Sequence, residues 1–205
     1  MAYSKTSLAN RALSLIGNDP SLLDLTTDTT ETGRIVNLHY EPVFLRCLRR
    51  AEWPFAIKRL ALSPDATAPT NEYTYRFALP TNSMKILEVF PSSLDYRIEE
   101  GYLLCYQDAV TIRYIDKSVI DNSSVVDPAF AEWFSYELAM SIAPQLTDST
   151  TIWNALKEAS AERFKEASAL FSQEDGPDII QESSWVTSRW YGGDAYGTIR
   201  YEGLE

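Results

Sequence analysis

The chain has 205 residues, 45% of them apolar and 12% aromatic, with a formal net charge of −11. That is enough apolar side chain for a sizeable core in one large or two small domains, and it excludes a disordered chain. The charge is lopsided: residues 1–118 carry 13 basic and 14 acidic side chains, residues 119–205 carry 5 and 15, so the last part of the chain repels nucleic-acid phosphate and tight, salt-sensitive DNA binding is not expected.

Residues Ser4 to Ile16 read as a first helix, capped by Ser4, with Leu8, Ala12, Leu15 and Ile16 on its apolar face. Gly17-Asn18-Asp19-Pro20 ends it, and Leu22, Leu23 and Leu25 are expected to tuck a short link into the core. Glu31 to Leu62 reads as a long amphipathic helix broken by a Trp53-Pro54-Phe55 corner, where proline drives the preceding residue out of the α region. One stripe holds Ile35, Leu38, Pro42 and Leu45. A second holds Val36, Tyr40, Val43, Phe44, Cys47, Leu48 and Ala51. Two adjoining stripes predict a helix covered on more than one side. Arg46, Arg49 and Arg50 fill the remaining arc, where positive charge suits a helix C-terminus.

After a loop over residues 63–70 the period switches to two. Strands are expected at Tyr73–Leu79, Met84–Phe90, Tyr96–Ile98, Tyr102–Tyr106 and Val110–Ile115, with a turn at Glu99-Glu100-Gly101. Their close spacing predicts an antiparallel sheet. Asp127-Pro128 then starts a helix carrying Phe130, Phe134, Leu138 and Ile142, broadened by Trp133, Tyr136 and Met140 and ended or kinked by Pro144. A last helix, capped by Thr147, Asp148 or Ser149, carries Trp153, Leu156, Phe164, Ala167 and Phe171. Beyond Phe171 neither period persists, yet Trp185, Trp190, Tyr191, Tyr196 and Tyr201 are spaced through a Gly-, Ser- and acid-rich stretch. Spaced aromatics suit an arm that docks on something rather than a disordered tail.

The expected fold is therefore α+β. An antiparallel helical bundle from residues 1–62 and 119–172 carries an inserted small antiparallel β-sheet domain at 63–118 and an extended C-terminal arm at 173–205. The opening residues are amphipathic and no run is long enough to span a bilayer, so synthesis and assembly in the cytosol are expected.

Chemistry is sparse. His39 is the single histidine and lies mid-helix, where a core or interface role is expected rather than catalysis. Cys47 and Cys105 have no neighbours at metal-ligand spacing and read as buried reduced thiols. Gly192-Gly193 is not a phosphate loop. Glu99 and Glu100 suit a turn better than an acid pair, and Asp108 and Asp116 read as solvated turn acids. No catalytic residue, cofactor or metal site is expected. Arg46, Arg49, Arg50, Lys58 and Arg59 form a local basic cluster. It suits a subunit interface, a DNA-facing surface, or a solvated arc with salt bridges.

Several strings occur in a familiar order: Ala12-Leu13-Ser14-Leu15-Ile16-Gly17, Tyr40-Glu41-Pro42-Val43 and Ala51-Glu52-Trp53-Pro54-Phe55-Ala56 come first. Tyr75-Arg76-Phe77-Ala78-Leu79-Pro80, Met84-Lys85-Ile86-Leu87, Tyr114-Ile115-Asp116 and Asp127-Pro128-Ala129-Phe130 follow. Over most of residues 5–172 the chain resembles the tail tubular protein A, or head–tail adaptor, family of short-tailed bacteriophages. The resemblance implies a structural protein of the virion, not an enzyme. It would form a dodecameric ring between portal protein and tail nozzle protein, continue the channel for genomic DNA and dock the tail. No string beyond Phe171 carries the resemblance. Two other readings compete: a virion cell-wall glycan hydrolase using paired carboxylates, and a generic protein-binding module.

Overall fold

The computed structural model describes residues 3–19, 21–69 and 72–174; most of the expected arm, with Trp185, Trp190, Tyr191, Tyr196 and Tyr201, lies outside the described residues. Helix α1 (Lys5–Leu15) opens with a reciprocal cap. The Ser4 hydroxyl accepts from the Ser7 N–H at 3.0 Å while Ser7 Oγ accepts from the Ser4 N–H at 2.9 Å. It closes at Gly17, whose φ of +77° lets the Asn18 N–H reach back to the Leu13 carbonyl at 3.1 Å. In the following link Leu22 and Leu25 are buried, but Leu23 is 97% exposed. The expected three-leucine tuck is thus two leucines. The side-chain amide of Asn10 explains the choice, since it holds both backbone groups of Leu22 at 2.8 and 3.1 Å.

Helix α2 (Glu31–Arg50) is capped by Thr30, whose Oγ1 accepts from the Gly33 N–H at 3.0 Å. Val36, Tyr40, Val43, Phe44, Cys47 and Leu48 are buried. The other stripe is covered only at its ends: Ile35 and Leu45 are half-buried and pack against the core, while Leu38 and Pro42 are exposed. The expectation of a helix covered on two sides is corrected to cover on one side and at the ends of the second stripe. Pro42 sits inside α2 on this open side, one turn after the exposed Leu38, whose carbonyl it leaves without its usual intrahelical donor.

The helix does not resume after Trp53-Pro54-Phe55. A 3₁₀ turn (Pro54–Ala56) leads straight into strand β1 (Ile57–Leu62). Six residues past a proline corner are too few to nucleate a helix, and their backbone groups find partners in β6 from Ile57↔Ile115 to Leu62↔Val110. The bundle's first half therefore stops at the corner, and the insertion begins at 57 rather than 63. Strands β2 (Tyr75–Ala78), β3 (Ser83–Phe90), β4 (Tyr96–Glu99), β5 (Tyr102–Cys105) and β6 (Val110–Asp116) follow.

Among the described residues two antiparallel three-stranded sheets result, ordered β1-β6-β3 and β2-β5-β4. Glu100 and Gly101, with φ of +50° and +82°, make the tight β4–β5 turn. Phe77, Leu103 and Cys105 of the second sheet meet Val89, Val110, Ile112 and Tyr114 of the first in one apolar cluster. Ile115, on the other face of β6, joins the bundle core, with Met84 and Leu87 packed against it. The first sheet is thus a middle layer between the second sheet and the helices.

Helix α3 (Pro128–Leu146) is capped by Asp127, which accepts from the Ala129 N–H at 2.7 Å, and continues two residues past Pro144. It is apolar around most of its girth and runs through the centre of the bundle. Helix α4 (Thr150–Glu174) is capped by Ser149, which receives the Ile152 N–H at 3.4 Å. Its Leu156, Ser160, Ala167 and Phe171 are buried. Trp53 anchors an aromatic knot, with ring centroids 4.9 Å from Phe130, 5.0 Å from Phe171 and 5.5 Å from Trp133. Among the described residues no helix is long and apolar enough to cross a membrane.

Candidate assembly surface

The basic residues at the end of α2 do not form one free patch. Arg46 Nη2 lies 2.9 Å from Glu137 Oε2 and Arg50 Nη1 lies 3.6 Å from Glu137 Oε1. Glu137 is buried in α3, and its Oε1 also accepts from the Ser160 hydroxyl at 2.6 Å. Ser160 in turn accepts the Trp133 indole N–H at 3.2 Å. The Arg50 guanidinium lies 3.9 Å from the centre of the Phe164 ring and 5.4 Å from that of Trp133. One buried carboxylate thus joins α2, α3 and α4. Glu137 is the residue sequence reasoning missed. Its signal was present: an acid amid the mostly apolar residues of α3, with two arginines one turn apart on a neighbouring helix.

Lys58 pairs with Asp116, and Arg59 lies 5.5 Å over the Phe90 ring. Arg49 alone of the five is exposed with no ion-pair or aromatic partner among the described residues. Asp116 is not the solvated acid expected of a turn, being 1% exposed. Burial pushes its carboxyl up, but the Lys58 ammonium and the hydroxyl and backbone N–H of Ser118 together hold it below the usual carboxylate value. Lys58 is raised in return, chiefly by its hydrogen bond to Asp116.

The remaining candidates are scattered. Glu99, Glu100 and Asp108 are exposed. His39 holds α2 to α3, with Nδ1 3.0 Å from the Ser141 hydroxyl and Nε2 3.1 Å from the Gln145 amide. Cys47 and Cys105 are both buried. Burial first, then the nearby Glu137 charge, pushes the Cys47 thiol far up, and burial raises Cys105. Among the described residues no group of three or more His, Cys, Asp or Glu side chains is placed to hold a metal ion.

Two features remain on the outside of α2. One is the exposed apolar pair Leu38 and Pro42. The other is a cavity of about 320 Å³ at its flank, lined by Lys5, Leu25, Tyr40, Glu41, Leu45 and Lys117 among others. The Tyr40 hydroxyl is buried there with no hydrogen-bond partner among the described residues, and burial pushes its ionisation far up, so it stays a donor. Apolar contact at the centre with polar groups at the edge is the general layout of protein–protein interfaces. No protein-family model matches the chain, and no curated protein matches it.

Proposed function

We propose that this chain is a structural adaptor of a short-tailed phage. It would form a dodecameric ring between portal and tail nozzle that continues the DNA channel and docks the tail. The identity rests on the resemblance carried by residues 5–172. The strings that carry it lie at positions that build the fold: the Trp53-Pro54-Phe55 corner in the aromatic knot, the Asp127 cap, and the Tyr114-Ile115-Asp116 junction between sheet and bundle. The observation that supports assembly is the exposed middle of the α2 stripe, Leu38 and Pro42, with Leu38 70% exposed on a well-formed helix.

A non-enzymatic role fits the state of the acids. Both carboxylates buried among the described residues are committed, Glu137 to Arg46, Arg50 and Ser160 and Asp116 to Lys58 and Ser118. In this reading Arg49 is the cation of the basic cluster left for a neighbouring subunit or for passing DNA, and the aromatic arm beyond residue 172 grips the portal or an adjacent subunit. Imaging purified protein mixed with its portal tests the reading. Twelve-fold density extending the portal channel is expected. A portal left bare at saturating protein would sink it. Truncation after Ser172 should give a folded subunit that no longer joins the portal. Wild-type assembly by the truncated form would remove the arm from the proposal.

A further inference from the structure

Ile35, Leu38, Pro42 and Leu45 run along the outer side of α2, spaced three, four and three residues apart, with Ile35 and Leu45 half-buried where they also pack against the bundle core. Alternating threes and fours are the repeat of a helix-pairing seam, and Leu38 and Pro42 on this seam are exposed. Glu31 and Arg49 stand at its two ends, roughly five turns apart, so both fall on the seam's own line. Arg34 and Glu41 flank it. All four charged residues are exposed, and none is in an ion pair among the described residues. Arg46 and Arg50, further round the helix, are taken up by Glu137. The four free charges of the face therefore cancel, although the chain as a whole is strongly acidic.

We propose that the protein, before it meets any other component, is a two-fold dimer in which α2 lies antiparallel on α2 of a second copy. The positions select this arrangement. Setting Leu38 against the partner's Pro42 brings Ile35 against the partner's Leu45 and Glu31 against the partner's Arg49, each twice by symmetry. A parallel pair would instead set Glu31 beside Glu31 and Arg49 beside Arg49, and like charges at both ends oppose it. The inference goes beyond the ring reading. Neighbours in a cyclic ring meet through two different surfaces, so a two-fold α2 pair has to open before its members enter one. The dimer keeps the seam covered until then.

Sedimentation velocity on the full chain alone, over a concentration series, tests this without any portal. The wild type is expected to be a monomer–dimer mixture that moves to dimer as concentration rises. Leu38→Glu should weaken dimerisation at least about tenfold while far-ultraviolet circular dichroism stays unchanged, since the side chain is exposed. Glu31→Arg and Arg49→Glu should each weaken it, and the combined E31R/R49E protein should recover wild-type association. A wild type that stays monomeric at concentrations on the order of 100 µM would overturn the proposal. So would a combined variant no better than the single ones. Failure here leaves the portal-binding experiment to decide the ring reading independently.

Discussion

The indole N–H of Trp53 donates to the backbone carbonyl of Cys47 at 3.0 Å, so the corner that ends α2 also satisfies one of the carbonyls that ending leaves open. The same ring, 1% exposed, touches Phe130, Trp133 and Phe171. A single side chain thereby finishes one helix and joins it to two others.

Trp53→Ala should therefore cost about 3–5 kcal/mol, from lost burial plus the cavity left behind. Phe55, only half-buried, should cost less, about 2 kcal/mol. Urea titration of both variants checks the order. Equal midpoints, or a Trp53 variant with wild-type stability, would contradict the packing described.

Glu137→Leu removes a buried charge but leaves Arg46 and Arg50 about half exposed, able to turn to water. The main loss is the hydrogen bond from Ser160, which also serves Trp133. We expect about 1–3 kcal/mol of destabilisation, with increased hydrogen exchange in α4 before α1. A variant in which α1 loosens first would show that the carboxylate does not secure α4.

The folded-state pKa of Asp116 lies below its ordinary value of 3.8. Its ionised form then stabilises the fold fully above that ordinary value, and the contribution drains away as pH falls through the lowered folded value. Asp116→Asn should flatten the acid side of the stability curve in that window. It should also lower stability near neutrality by about 1–3 kcal/mol. A variant whose stability ran parallel to wild type from neutrality down into acid would remove Asp116 from the acid response.

Tyr40→Phe deletes a buried hydroxyl that has no hydrogen-bond partner among the described residues. The isolated subunit should be unchanged or stabilised, by up to about 1–3 kcal/mol if the desolvation penalty is fully relieved. Calorimetry of the variant against wild type decides it. A clear drop in melting temperature would mean that the hydroxyl is satisfied within the subunit.

What could be read from the sequence, and what could not, follows from how local each signal is. Ser4, Gly17 and Asp127 act on backbone groups within a few residues, and each stands in the role its residue type announces. The Glu100-Gly101 turn is local in the same way. Ile57–Leu62 was hidden because its strand character comes from β6, some fifty residues away, while the preceding helix invited continuation. The division into two sheets is likewise a matter of partners, since alternation says which residues share a face but not which strand lies beside which. On the assembly surface, both stripes of α2 were visible, but only the packed subunit tells that Leu38 and Pro42 stay bare. Arg46 and Arg50 could be seen as basic. That they are neutralised depends on Glu137, ninety residues on, and on the third helix that brings Ser160 to it.

The pairing of Ile57 with Ile115 has an architectural consequence. The chain leaves the helices and returns to them at adjacent residues, and Lys58 and Asp116 bolt the two passing strands together just there. The sixty or so residues between form a cassette on a single hinge post. A lineage could lengthen, trim or exchange it without re-routing the helices, provided the replacement still offers apolar side chains where Met84, Leu87 and Ile115 now meet them. The helices would then be the part of the molecule held constant, and the sheets the part free to diversify.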